Sequence, residues 1–150
     1  MMKFLPISLM LSITSFTAHA HDEGHGPKLS DVAHYGGLLA PVIDKKDMDK
    51  GHHATVLYKA ELVRSADATV RVYFFTKQMK LLDTKKLAPE GMAYLETKTD
   101  GSYKQQGFAL KLTGKSYLGI APMTTSKPYN IDVHLQIEGR SVMVAFDNLD

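Results

Sequence analysis

The 150-residue chain contains no cysteine and no tryptophan. Without cysteine there is no disulfide, no lipoprotein anchor through a thiol, no thiolate metal site and no thiol nucleophile. A fold of this composition must be held by packing alone. Without tryptophan, and with no cluster that interleaves aromatic and basic residues, neither a nucleic-acid surface nor a sugar-stacking platform is indicated. An excess of one charge is also lacking: 18 Lys and Arg face 16 Asp and Glu, a net charge of +2. After the first twenty residues no apolar run reaches the length of a membrane-spanning helix. Catalytic signatures are missing as well. No Gly-x-Ser-x-Gly, His-Glu-x-x-His or phosphate-binding glycine loop occurs, so a non-enzymatic protein is expected.

The amino terminus carries a strong signal. Lys3 begins a mostly apolar stretch over Phe4–Phe16, and Ala18-His19-Ala20 supplies the small residues that signal peptidase requires. Residues 1–20 are therefore expected to be a signal peptide and the periplasm, or the exterior by secretion, the destination. About 130 residues would remain, enough for one domain with a hydrophobic core. Cleavage after Ala20 would leave His21 with a free α-amino group. Such a residue can chelate one metal ion through its amine and its ring Nδ1.

Residues 21–33, rich in polar residues and containing Gly24, Gly26 and Pro27, read as a flexible arm. Beyond it, short alternating segments dominate. Leu38–Ile43 is a first strand, followed by a charged loop over Asp44–Gly51. His53–Arg64 places Val56, Tyr58, Ala60 and Leu62 on one face. Ala68–Thr76 aligns Val70, Val72 and Phe74. Met92–Lys98 and Phe108–Leu112 flank an Asp100-Gly101 turn, and Lys77–Pro89 is a short helix or an irregular crossover. Tyr129–Glu138 alternates most clearly, with Ile131, Val133, Leu135 and Ile137 opposite Asp132, His134 and Gln136. Glu138-Gly139 then turns the chain into Ser141–Phe146. This spacing predicts, for residues 34–150, an antiparallel β-sandwich, Ig-like or cupredoxin-like, of about seven to nine short strands.

Histidine is the residue present in excess, and six of the seven lie after residue 20. Imidazole and carboxylate at close spacing suit copper, nickel and zinc. The metal candidates are His21, His25, His34, His53 and His134, with His52 an outer candidate. On a strand, His52 and His53 would point to opposite faces, so only one could serve a given site. The terminal copper/nickel motif with histidine third does not apply, because Glu23 holds that position. Met48, Met79, Met92, Met123 and Met143 form no closely spaced cluster. Copper(II) is the expected ion, with zinc or nickel as alternatives. The role would be metal buffering, delivery or resistance beside a metal efflux or delivery partner. The rival reading is an envelope protein-interaction module with incidental histidines; a copper-dependent oxygenase ranks below both.

Two resemblances point the same way. A signal followed at once by His21 resembles the histidine-brace copper proteins, which implies a second histidine from the body of the domain. A longer stretch is similar to small periplasmic domains found alone or attached to adaptor subunits of heavy-metal efflux pumps. Its motifs here are His34-Tyr35-Gly36-Gly37, Glu61-Leu62-Val63, Val70-Arg71-Val72-Tyr73, and Leu135-Gln136-Ile137-Glu138-Gly139-Arg140 running on to Phe146. Tyr35 interrupts the usual His-Gly-Gly, and Lys59 stands where histidine often precedes Glu-Leu-Val. The resemblance implies a metal-handling context.

Overall fold

The computed structural model describes residues 26–150. Eight strands follow one another: β1 (Leu38–Asp44), β2 (Tyr58–Arg64), β3 (Thr69–Phe75), β4 (Glu90–Thr99), β5 (Ser102–Thr113), β6 (Ser116–Ile120), β7 (Tyr129–Ile137) and β8 (Arg140–Leu149). Every pairing is antiparallel. The order around the sheet is β1-β2-β3-β6-β5-β4-β7-β8, and β8 returns to β1.

The expected sandwich is thus corrected to a single closed barrel. Alternation along each strand is the same in both architectures, because each buries one face of every strand. The difference lies in one seam. Ile43 pairs with Met143 and Asp44 with Val142, which closes the sheet on itself.

The inward side chains are those the alternation placed together. Ala60 and Leu62 of β2, Val70, Val72 and Phe74 of β3, and Ile131, Val133, Leu135 and Ile137 of β7 all join the central core. Tyr117, Leu110 and Phe146 fill the remaining space. The interior is a packed plug rather than a channel, as expected of so narrow a barrel.

The two ends differ. Residues 76–89 cross from β3 to β4 beneath β6 and β5, with bridges Phe75 to Leu81 and Leu87 to Ile137. Leu82 and Leu87 are buried there and join the core, so this end is stoppered. The other end is spanned by the β2–β3 turn and the β6–β7 connection, and it stays open.

Outside the barrel, a 3-10 segment over Lys45–His53 covers Ile43, Met143 and Ala145, with Ala54 and Met48 completing a second apolar cluster. Its first turn is capped by the Asp44 carboxylate, which accepts from the Lys46 N–H. The expected strand from His53 begins only at Tyr58. Among the described residues no helix is long and apolar enough to cross a membrane.

Candidate functional site

The chain before β1 is fastened to the outer wall at three places. At the first, the Gly26 N–H donates to the Gly51 carbonyl at 3.0 Å. Gly26 has φ +107°, and a Cβ there would lie 2.7 Å from Pro41 Cγ, so only glycine fits against β1. At the second, Lys59 Nζ meets the Asp31 carboxylate at 2.6 Å.

The third is built on Glu61. In β2, Ala60 and Leu62 point inward, so Glu61 points out, yet its side chain is 0% exposed. Its carboxylate accepts three backbone N–H groups: Tyr35 at 2.7 Å and Gly37 at 2.8 Å on Oε1, and His34 at 2.8 Å on Oε2. Charge-assisted bonds of this kind are the strong ones. The chain approaches so closely that a Cβ on Gly37 would sit 2.2 Å from the Leu62 carbonyl oxygen. Tyr35 stacks on Tyr73 with ring centroids 3.9 Å apart, and His34 meets Phe75 edge-on at 5.1 Å. The His34-Tyr35-Gly36-Gly37 and Glu61-Leu62-Val63 motifs are therefore two halves of one clasp.

The sequence-derived metal candidates separate. His21 and His25 lie outside the described residues. His34 is exposed on the outer wall beside β3. His134 is half-buried on β7, its ring edge-on to Tyr94 at 5.3 Å. In the order around the barrel, β3 and β7 stand four strands apart whichever way they are counted. His34 and His134 thus occupy opposite walls, and one ion cannot engage both. His52 and His53 are exposed in the β1–β2 connection. His52 Nδ1 lies 3.2 Å from the Gly26 carbonyl oxygen. Among the described residues no three His, Asp or Glu side chains gather to hold a metal ion.

A carbonyl oxygen can only accept, so the His52 contact is a hydrogen bond when Nδ1 carries the proton. That tautomer leaves the Nε2 lone pair free for an ion. Metal-binding histidines commonly use this arrangement, with the second nitrogen donating to a backbone carbonyl.

Two further clusters were not anticipated. At the stoppered end, Tyr58 Oη donates to Glu138 Oε2 at 2.8 Å, and Lys86 Nζ sits 3.0 Å from Oε1. Burial first, and then the Glu138 carboxylate, raise the Tyr58 pKa. The bonds from Tyr58 and Lys86 lower that of Glu138.

At the open end, a cavity of about 690 Å³ lies above the core, walled by the β2–β3 turn and the β6–β7 connection. Arg64 stands on its rim. Its Nη1 donates to Tyr129 Oη and to the Asp150 carbonyl, and its guanidinium lies 5.5 Å from the Tyr129 ring centroid. The one sequence cue to this cluster was Arg64 and Tyr129 standing at strand ends, where barrel mouths form.

No family model, curated protein or solved structure matches this chain.

Proposed function

We propose that this protein is an exported, periplasmic binder of a transition metal, copper(II) first and zinc or nickel next. Its ion would be held by the amino-terminal histidines together with the His52–His53 turn. The observation that supports this reading is the pairing of Gly26 with that turn. The Gly26 N–H is held by Gly51, and the Gly26 carbonyl by the His52 ring. His25 directly precedes Gly26 in the sequence. His21 lies four residues before His25 in the sequence. His52 offers Nε2 in the tautomer that the Gly26 carbonyl selects.

The donor set would be nitrogen-rich: imidazoles plus, after cleavage, the α-amine of His21. Such a set favours copper(II), whose affinity tops the divalent series. His34 and His134, on opposite walls, would be secondary positions rather than joint ligands. A carrier of this kind would buffer the ion or deliver it to an efflux or delivery partner.

The test is titration of copper(II) into the natively processed protein, its terminus verified by intact mass, with electron paramagnetic resonance. His21→Ala and His52→Ala are run beside the wild type. One tight site with nitrogen hyperfine structure, lost in His21→Ala and altered in His52→Ala, is the expected result. Weak, multiple binding that neither variant changes would overturn the reading. It would leave the envelope interaction module, which melts identically with and without metal, as the function to pursue.

A further inference from the structure

We infer that the open mouth of the barrel is a second binding site, independent of the metal, for a small amphipathic carboxylate: an apolar body with one acidic head. The cavity volume of about 690 Å³ falls within the range of about 300–1,000 Å³ typical of small-molecule sites, and barrel mouths are among their usual places. Its floor is formed by the tops of Leu62, Val70, Leu95 and Ile131, above a core that leaves no passage through the barrel. The site is a cup, not a channel.

Small residues keep the cup open. Gly36, Gly37, Ala66, Ala68 and Ala121 form much of its wall. The Glu61 clasp fixes the glycine side, so the cavity does not depend on a mobile wall collapsing or opening. Two apolar side chains on the rim are exposed in a way that a packed barrel end does not require. Leu38 is 42% exposed and Met123 is 92% exposed, and both line the mouth. An unbranched, polarisable methionine at the edge of the cup adapts to the shape of an occupant.

The charge on the rim selects the head group. Arg64 and Lys127 both line the mouth, against the single acidic side chain of Asp150. Arg64 is already held in place. Both of its hydrogen bonds leave from Nη1, and the Tyr129 ring supports the guanidinium plane. A guanidinium carries five N–H donors, so the Nε and Nη2 donors remain to take a carboxylate in a forked pair. An arginine fixed before binding loses little side-chain freedom when the ligand arrives. The cup has an apolar floor of Leu62, Val70, Leu95 and Ile131 beneath a wall that also carries Ser65, Thr69 and Thr124. The occupant that matches such a floor, with one pre-oriented guanidinium at the lip, is an amphipathic monocarboxylic acid.

The probe is octanoate, with octylamine as the control of equal chain length and opposite charge. Both are titrated calorimetrically into the folded protein in the presence of a chelator, so that the result does not depend on metal. Octanoate is expected to bind at one site, with octylamine at least tenfold weaker. Arg64→Gln should weaken octanoate about tenfold, the scale of losing a charged hydrogen-bonded partner. Leu38→Glu places a negative charge on the exposed rim and should weaken it comparably. Leu38 takes no part in the core, so this variant keeps the test valid if Arg64→Gln folds poorly. Amide resonance shifts on octanoate addition should centre on Leu62, Val70 and Met123. The proposal is overturned if octanoate does not bind at millimolar concentration, if octylamine binds equally well, or if Leu38→Glu leaves the affinity unchanged.

Discussion

Replacing Glu61 by glutamine tests whether the clasp is what holds the chain before β1 in place. The wild-type carboxylate offers two oxygens, Oε1 to Tyr35 and Gly37 and Oε2 to His34. The glutamine amide keeps one oxygen and turns the other into an NH2 group. If the oxygen stays toward Tyr35 and Gly37, the NH2 confronts the His34 N–H, donor against donor. One bond to a charged group, about 1.5–3 kcal/mol, is then lost. The other two fall from charge-assisted to neutral strength, roughly half. Relief from burying a charge offsets part of this. The net expectation is a loss of roughly 2–4 kcal/mol. Urea unfolding followed by circular dichroism measures it. Amide hydrogen exchange locates it: protection at His34, Tyr35 and Gly37 should fall, while Val72 and Val133 inside the barrel keep theirs. A stability change under about 0.5 kcal/mol, the range of ordinary surface substitutions, with all three amides still protected, would refute the clasp.

Gly37→Ala should destabilise by about 2–4 kcal/mol, because its Cβ meets a backbone oxygen that cannot swing aside. Gly36→Ala, in open space but at φ +73°, should cost only about 1 kcal/mol; thermal melts of the two variants would show the order, and equal losses would contradict the close approach. Asp31→Asn removes the partner of Lys59 and should cost about 1 kcal/mol, with faster proteolysis between residues 26 and 37. Burial raises the Tyr117 pKa from 10.0 to about 12, and its hydroxyl donates to the Ala88 carbonyl. Below pH 10 the tyrosine is protonated in both the folded and the unfolded chain and adds no pH dependence. Between pH 10 and 12 the unfolded chain releases this proton and the folded one keeps it, so stability falls as pH rises, by at most about 3 kcal/mol. Tyr117→Phe should flatten that part of an alkaline unfolding curve; an unchanged slope would show that Tyr117 does not cause it.

Much of the barrel was legible in the alternation. Strands β1, β3 and β7 lie where the apolar periods put them, and Val70, Val72, Phe74 and the four aliphatics of β7 all face inward. The turns at Asp100-Gly101 and Glu138-Gly139 have positive φ at both residues, the geometry a two-residue hairpin needs. Strand β6 escaped notice. It is five residues long and carries Gly119, needed where a Cβ would run into Leu110 and Ala109. Closure also escaped, since it rests on the register of two strands at opposite ends of the sequence. The candidate site was legible as residue types but not as a set. Glu61 was visible only as a member of the Glu61-Leu62-Val63 motif and not as a buried carboxylate, because the segment that buries it arrives from 24 to 27 residues away. Alternation likewise cannot show that His34 and His134 stand on opposite walls.

The seam between β1 and β8 has a consequence for how the molecule matures. Ile43 waits for Met143, a partner a hundred positions later in the chain. Pairings this far apart in sequence form slowly, since a long loop must be ordered before the contact repays it. No amino-terminal portion of the chain can close the ring by itself; until β8 is in place, β1 is an open edge. The chain therefore reaches its final shape only once nearly all of β8 has been made available to β1. In that interval the unpaired edge of β1 is open to wrong pairing with another chain.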